Sequence, residues 1–379
     1  MKIVYCINGL NICGGVEMIT LRKANALSEI EGNDVYIITD NTDHTWIPLN
    51  KEIHLLELNV TVGESKKCSS LRAFFRNKKR IRLVKKKLSE ILNEIKPDVV
   101  ITVRRNDLLL LPQLKISSHP SIIKEIHSNR FIYNFKAKKL FNRLYNIFLY
   151  IRETYTLKKY DKVVVLSDEE KALYKGFNNI VTIPNLLTIP LPAQTSTLSY
   201  KKVISVGRLT SEKQQSHLIK AWKIINEKHP DWKLEIYGEG RLYQTLFQQI
   251  NNSGLENSVF LKGAVNDLTQ AYSESSIFAL SSQSEGFSLV ILEAMACGLP
   301  VVSYDCPTGP RSLISEGVEG FLVELNNVEQ LAERLNYLIE HEDVRRTMGT
   351  KARRKAEGYT PENVCKLWMD LFHQLRKDM

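Results

Sequence analysis

At 379 residues the chain exceeds what one hydrophobic core usually serves, so two domains are expected. With 43% hydrophobic and 25% charged residues it is an ordinary globular protein, not a disordered or fibrous one. The formal charge of +10 is uneven: residues 1–150 hold 25 Lys/Arg against 14 Asp/Glu, the remainder 27 against 28. The basic half marks nucleic acid or an anionic membrane as the candidate partner.

No apolar run is long enough to span a bilayer and the N-terminus enters a strand directly, so neither a signal peptide nor a transmembrane helix is expected. Cys6, Cys13, Cys68, Cys297, Cys306 and Cys365 show no disulfide-like spacing, which predicts free thiols in a reducing cytosol.

Lys2 to Ile7 is a short apolar run that suits the first parallel strand of a doubly wound sheet. Gly14-Gly15-Val16-Glu17 follows and opens a helix from Met18 to Ser28. Two glycines let a ligand approach the backbone, although a tight strand-to-helix turn is the plain alternative. The spacing is not the G-x-G-x-x-G dinucleotide fingerprint. Strands are predicted at Val35–Thr39, Ile53–Leu58, Val99–Val103, Ser121–Ile126, Lys162–Leu166 and Ile180–Pro184, with helical patterns between several of them.

Between Lys66 and Lys87 eleven basic residues occur without one acid, interleaved with Leu71, Phe74, Phe75, Ile81, Val84 and Leu88. Phe131 to Tyr145 repeats the theme. A basic amphipathic helix of this kind can lie on a membrane surface, the alternative being a solvated helix face. His127 stands at the C-terminal edge of a strand, where open α/β sheets place ligands.

Leu186 to Lys202, with Pro190, Pro192 and a Ser/Thr-rich run, reads as the interdomain linker. A second α/β series begins at Val203 and continues through strands Lys233–Tyr237, Val259–Lys262, Ile277–Leu280, Val301–Tyr304 and Phe321–Val323. After its first strand, Gly207-Arg208 and Lys213 offer a planar fork and a point charge for phosphate oxygens. Gly238-Glu239-Gly240 is placed to flank a nucleotide and the Gly263 to Asn266 loop, with Val265, to meet its base, plain turns being the alternative. Ser284-Glu285-Gly286-Phe287-Ser288-Leu289 then leads into an apolar helix that carries Glu293 and stops at Gly298. Its N-terminus aims backbone N–H groups from about Phe287 to Leu289 at the loop, which favours a phosphate. Glu285 and Glu293 are suited to accept sugar hydroxyls, an ordinary helix start with one exposed and one salt-bridged Glu being the alternative. Helices over Val328–His341, Val344–Glu357 and from Pro361 to about Lys377 complete the chain.

Glu285 to Val302 resembles, almost residue for residue, the E-x7-E region of the retaining glycosyltransferases of family 4. Gly207-Arg208 with Lys213 is similar to that family's G-R-(x)4-K pattern, and Gly14-Gly15-Val16-Glu17 to its G-G-x-E loop. The resemblance implies the α/β fold called GT-B: two Rossmann-like domains facing across a cleft, with the last helix crossing back to the first. Residues 1–188 would bind acceptor, 189–360 the nucleotide sugar, and 361–379 would form the returning helix. Gly14, Gly15 and Glu17 would meet the acceptor. Gly207, Arg208, Lys213, Val265, Glu285, Gly286, Phe287, Ser288, Leu289 and Glu293 would bind the donor. His127 would hold a hydroxyl of the transferred sugar, Glu285 other sugar hydroxyls and Glu293 the ribose; His127, Glu285, Arg208 and Lys213 form the expected catalytic set.

Asp305 to Arg311 resembles a signature of polysaccharide-building members that use UDP-hexoses or UDP-N-acetylhexosamines. Arg311-Ser312 departs from the Ser-Glu many of those carry. Neither D-x-D nor a His/Cys cluster with metal-ligand spacing occurs, so no metal and no cofactor is expected. The resemblance implies metal-independent transfer with retention from a UDP-sugar to a saccharide acceptor, and together with the basic N-terminal half it implies a polyprenyl-diphosphate-linked acceptor at the inner face of the cell membrane. A GDP-mannose-type transferase, a GT-B UDP-sugar epimerase and a nucleic-acid-binding protein are the alternatives, with no nucleic-acid partner expected on the main reading.

Overall fold

The computed structural model describes residues 1–7, 9–10, 14–40, 47–60, 71–103, 111–127 and 140–377, the side chains of 71–79, 140–143 and 145 excepted. The chain forms two compact units. The first joins Met1–Leu166, Lys171–Ile183 and the chain from Val364 onward; the second joins Ser167–Glu170 and Pro184–Asn363.

Among the described residues of the first unit, seven parallel strands form one sheet in the order β3-β2-β1-β4-β5-β6-β7. They are β1 (Lys2–Cys6), β2 (Asp34–Thr39), β3 (His54–Glu57), β4 (Val99–Thr102), β5 (Ser121–Glu125), β6 (Lys162–Val165) and β7 (Ile180–Thr182). Ile3 on β1 lies between Val35 and Val99. Val99, Val100 and Ile101 are wholly buried, as strands covered on both faces require. The order reverses between β1 and β4, the position at which such sheets leave a crevice at their carboxyl ends.

Six further parallel strands build the second unit in the order β10-β9-β8-β11-β12-β13. Their ranges are β8 (Lys202–Val206), β9 (Lys233–Tyr237), β10 (Val259–Gly263), β11 (Ile277–Leu280), β12 (Val301–Tyr304) and β13 (Gly320–Val323). Here the reversal falls between β8 and β11. Trp222, Leu218, Ile236, Ile277 and Leu335 belong to one apolar core.

Residues 184–201 do not hang free. Leu187 N–H donates to Tyr359 O, Ser196 N–H to Cys297 O, and the buried Arg345 guanidinium to Leu198 O. These bonds tie the segment into the second unit. Helix Pro361–Lys377 turns back: from Val364 on it belongs to the first unit, with Trp368 and Phe372 fully buried.

The basic segment forms helix Leu71–Ile95. Val84, Leu88, Leu92 and Ile95 are buried in the first unit's core, so this part of the apolar stripe faces protein. That corrects the expectation that Val84 and Leu88 face a membrane: a core cluster claims them first. Arg80, Arg82 and Lys86 are exposed on the other side, while Lys66 and Lys67 lie outside the described residues, as does Phe131 to Lys139. Among the described residues no helix is long and apolar enough to cross a membrane. Cys6, Cys297, Cys306 and Cys365 are free and buried; Cys13 and Cys68 lie outside the described residues.

Candidate active site

In the second unit the site residues gather at the sheet's reversal point. β8 ends at Val206 and the chain turns through Gly207-Arg208-Leu209. Gly207 N–H donates to Tyr237 O at 2.9 Å and Leu209 N–H to Glu239 O at 2.8 Å. This turn rests on the backbone of Gly238, where a Cβ would stand 2.1 Å from Gly207 O and φ is +135°. Only glycine satisfies both conditions.

The turn carries Arg208 into solvent. Its guanidinium makes no hydrogen bond or ion pair among the described residues, while its carbonyl accepts from Gln215 Nε2 at 2.9 Å. Lys213 runs alongside Gly207 and its Nζ donates to Glu285 Oε1 at 2.6 Å. Their side chains are 19% and 9% exposed, enough shielding for the pair to exceed a surface ion pair in strength. Ser281 Oγ donates to Lys213 O and Gln214 O, and Gln283 N–H to Glu212 O, so the loops after β8 and β11 are bonded together.

Glu285 is also held through its backbone: Thr308 Oγ1 donates to Glu285 O at 2.7 Å. Gly309 lies against it at φ +74°, and a Cβ there would be 2.7 Å from that of Glu285. Helix Leu289–Ala296 begins at Leu289, with Ser288 before it in the left-handed region at φ 56°. Backbone N–H groups from Gly286 to Leu289 donate to no acceptor among the described residues, and the buried Ser288 Oγ has no partner. Phe287 is buried and packs on Tyr359.

Glu293 is engaged by protein hydroxyls. Thr188 Oγ1 donates to its Oε1, and Tyr272 OH to its Oε2 at 3.1 Å. Burial, and then the Glu293 charge, push the Tyr272 hydroxyl well above the ordinary phenol range. Sequence reasoning missed Thr188 and Tyr272, which carry no motif; Gly309 had a signal in its Thr-Gly-Pro setting. Val265 stands exposed beyond β10, two strands out from β8. Arg311, in the short helix Pro310–Leu313, donates to both oxygens of Asp305 in the preceding loop.

Burial and the nearby Glu285 push the Cys306 thiol up to about 12; burial and Glu293 do the same for Cys297. Neither thiol is a nucleophile at neutral pH. The arrangement instead offers an unpaired guanidinium, a second cation and free N–H groups for an anion, beside carboxylates that hold hydroxyls.

The first unit holds the other candidates. Gly14 O accepts Met18 N–H at 3.0 Å at the start of helix Gly15–Ser28. Glu17 folds back over Gly14, where a Cβ would lie 2.3 Å from its Oε2, while Gly15 has open space around it. His127 follows β5 by two residues, its side chain 6% exposed and Nε2 3.2 Å from Glu125 Oε1. Lys23 Nζ donates to that same oxygen. Burial raises the Glu125 carboxyl, but the Lys23 ammonium and then His127 outweigh it and bring it down to about 2. Among the described residues no group of three or more His, Cys, Asp or Glu is placed to hold a metal ion.

Residues 13–187 match the family model for Glycosyltransferase Family 4, and residues 192–355 that for Glycosyl transferases group 1. A Haemophilus influenzae protein known as an uncharacterized glycosyltransferase is 31% identical, over 97% of this chain and 98% of its own. The amylovoran biosynthesis glycosyltransferase AmsD of Erwinia amylovora is 26% identical over 98% and 99%. A TarM variant from S. aureus, solved with fondaparinux, α-GlcNAc-glycerol and UDP, has TM-score 0.76 at 16% identity, covering 98% of this chain and 99% of that one. The fold is therefore GT-B and the protein a glycosyltransferase. Within that class the chain belongs to glycosyltransferase family 4.

Proposed function

We propose that this glycosyltransferase moves a hexose or N-acetylhexosamine from a UDP-sugar, with retention, to a lipid-linked saccharide in cell-surface polysaccharide synthesis. The observation that carries the donor half is the unpartnered Arg208 beside the Lys213–Glu285 pair at the β8/β11 reversal. A breaking sugar–phosphate bond leaves charge on the diphosphate. A helix N-terminus alone supplies about 0.3–2 kcal/mol, so Arg208 and Lys213 carry most of the stabilisation. Glu285 holds hydroxyls of the transferred sugar, Glu293 the ribose, and His127 a further sugar hydroxyl; Gly14, Gly15 and Glu17 admit the acceptor. TarM's crystallisation with UDP and the amylovoran role of AmsD support the donor and pathway class.

The test is thermal unfolding with UDP, GDP or ADP in the absence of added metal. UDP at 100 times its dissociation constant is expected to stabilise the protein by about 2.7 kcal/mol. Stabilisation by GDP alone would move the donor to the GDP-sugars. No response to any diphosphate would sink the donor assignment.

The lipid half rests on helix Leu140–Leu157. Leu144, Phe148, Ile151 and Tyr155 recur at helical spacing and are 57–65% exposed, an apolar stripe turned to solvent. Arg152 lies over the Phe148 ring and Lys159 over that of Tyr155, so cations border the stripe. From Ile126 to Arg152 the sequence has no acid and six Lys/Arg. An apolar stripe with basic edges matches the cytoplasmic leaflet, where each cation near anionic lipid is worth about 1 kcal/mol. Vesicles containing phosphatidylglycerol should sediment the protein, and Phe148→Glu with Ile151→Glu should weaken this roughly tenfold or more. Turnover on a soluble acceptor should stay unchanged. Equal sedimentation of the variant would refute this surface, and a dimer that the variant abolishes would assign the stripe to a second copy.

A further inference from the structure

Inside the first unit, four elements bring unusual groups to one point. Helix Gly15–Ser28 buries Ile19, Thr20, Lys23, Ala24 and Leu27 along one stripe, so Lys23 is a cation at a core position. Its side chain is 3% exposed, its Nζ lies 4.5 Å from the Trp368 ring centroid and 5.7 Å from that of Tyr5. Both rings offer a negative π-face to the ammonium. Glu125, on β5, is 1% exposed and shares its Oε1 between Lys23 and His127. Glu125 Oε2 and the Tyr5 hydroxyl have no hydrogen-bond partner among the described residues. Removing two charges from water is unfavourable, and an apolar pair of the same volume is often as stable or more so. Stability alone does not account for an ion pair here.

We propose that Lys23 and Glu125 are a positioning pair for His127. This rests on the reading of His127 as a contact to the transferred sugar. Residues 125 and 127 are two apart where the chain leaves β5, so both side chains reach the same side. Lys23 keeps Glu125 ionised in a site that would otherwise neutralise it. The carboxylate then accepts the proton-bearing Nε2 of His127, which leaves Nδ1 as the lone-pair acceptor for a sugar hydroxyl. The 3.2 Å contact is at ion-pair distance but lacks hydrogen-bond alignment, as catalytic contacts often do before substrate binds. Trp368, from helix Pro361–Lys377, and Tyr5, from β1, place their rings against the Lys23 ammonium.

The experiment compares Lys23→Met, Glu125→Gln, the double variant and His127→Ala in the full chain. Each is followed by thermal unfolding, by kcat and donor KM, and by the nitrogen NMR signature of the His127 tautomer with UDP present. The double variant removes both charges together, so its melting temperature should recover towards that of the parent. Its kcat should stay lower by on the order of tenfold or more with donor KM little changed, the split expected when a reacting geometry alone is lost. The parent should show the Nε2–H form and Glu125→Gln a mixture of tautomers. A double variant with parental kcat would reduce the pair to a structural role. Nδ1–H in the parent would overturn the proposal even if no variant folds. Full turnover in His127→Ala would instead remove His127 from the reaction, and the pair's role with it.

Discussion

Alanine at Arg208 is expected to lower turnover by about 10²–10³ at saturating donor, the loss typical of one preorganised donor at a developing charge. Three features set that size. The backbone of Arg208 is held by a turn pinned to Gly238, so the side chain leaves from a fixed point. It makes no hydrogen bond or close ion pair among the described residues, its nearest carboxylate influence being the exposed Glu212, whereas Lys213 is already 2.6 Å from Glu285 and part of its charge is answered. Its planar fork also suits two phosphate oxygens at once, which an ammonium does not, so Arg208→Lys should recover only a small part. The UDP-induced thermal shift should shrink in parallel. Near-parental turnover in the alanine variant would refute the proposed role of this loop.

Lys23→Ala is expected to destabilise the first unit by about 3–5 kcal/mol at neutral pH, because it leaves a buried carboxylate without its cation. The pH dependence gives the sign. In the parent, Glu125 is held near 2 against an ordinary value of 4.5. Its contribution to stability is therefore complete above pH 4.5 and is lost as pH falls towards 2. Without Lys23, burial has less to oppose it and the folded-state value rises. The variant then binds a proton at Glu125 on acidification, and its deficit relative to the parent should narrow as pH drops towards 4.5. Denaturant melts of both proteins from pH 7 to pH 4 measure this. A deficit that stays constant across the range would mean that lost packing, not charge, dominates.

Much of the architecture was legible because parallel strands buried on both faces read as short continuous apolar runs. Val99 to Thr102 and Val301 to Tyr304 are such runs, and helix Pro361–Lys377 has the predicted limits. The strands end a residue or two before the predicted limits at Val103, Ile126 and Pro184, although Val103, Ile126 and Ile183 still donate one backbone hydrogen bond each to the neighbouring strand. At the second unit's loops, glycines beside cations and carboxylates gave the Arg208, Lys213 and Glu285 cluster its signal. Two kinds of feature were hidden. Val84 and Leu88 sit among cations, and sequence pattern cannot say whether an apolar stripe meets lipid or core. Lys23 is hidden for the opposite reason, since a lysine in an amphipathic helix ordinarily marks the solvent face. Its position four residues after Ile19 and four before Leu27 was the available clue. Thr188 and Tyr272 reach Glu293 only through the fold, and nothing local in the sequence marks them.

The return of the last helix to the first unit sets an order of assembly. Residues 184–363 are one uninterrupted stretch and hold nearly all of the second unit, which needs from elsewhere only the four residues Ser167–Glu170. The first unit, by contrast, is begun at Met1 and completed only by the chain from Val364 onward, which brings Trp368 over Lys23. During synthesis, where domains form as the chain emerges, the first unit lacks the cover that Trp368 gives Lys23 until helix Pro361–Lys377 has left the ribosome. The first unit is begun before the second and closed after it.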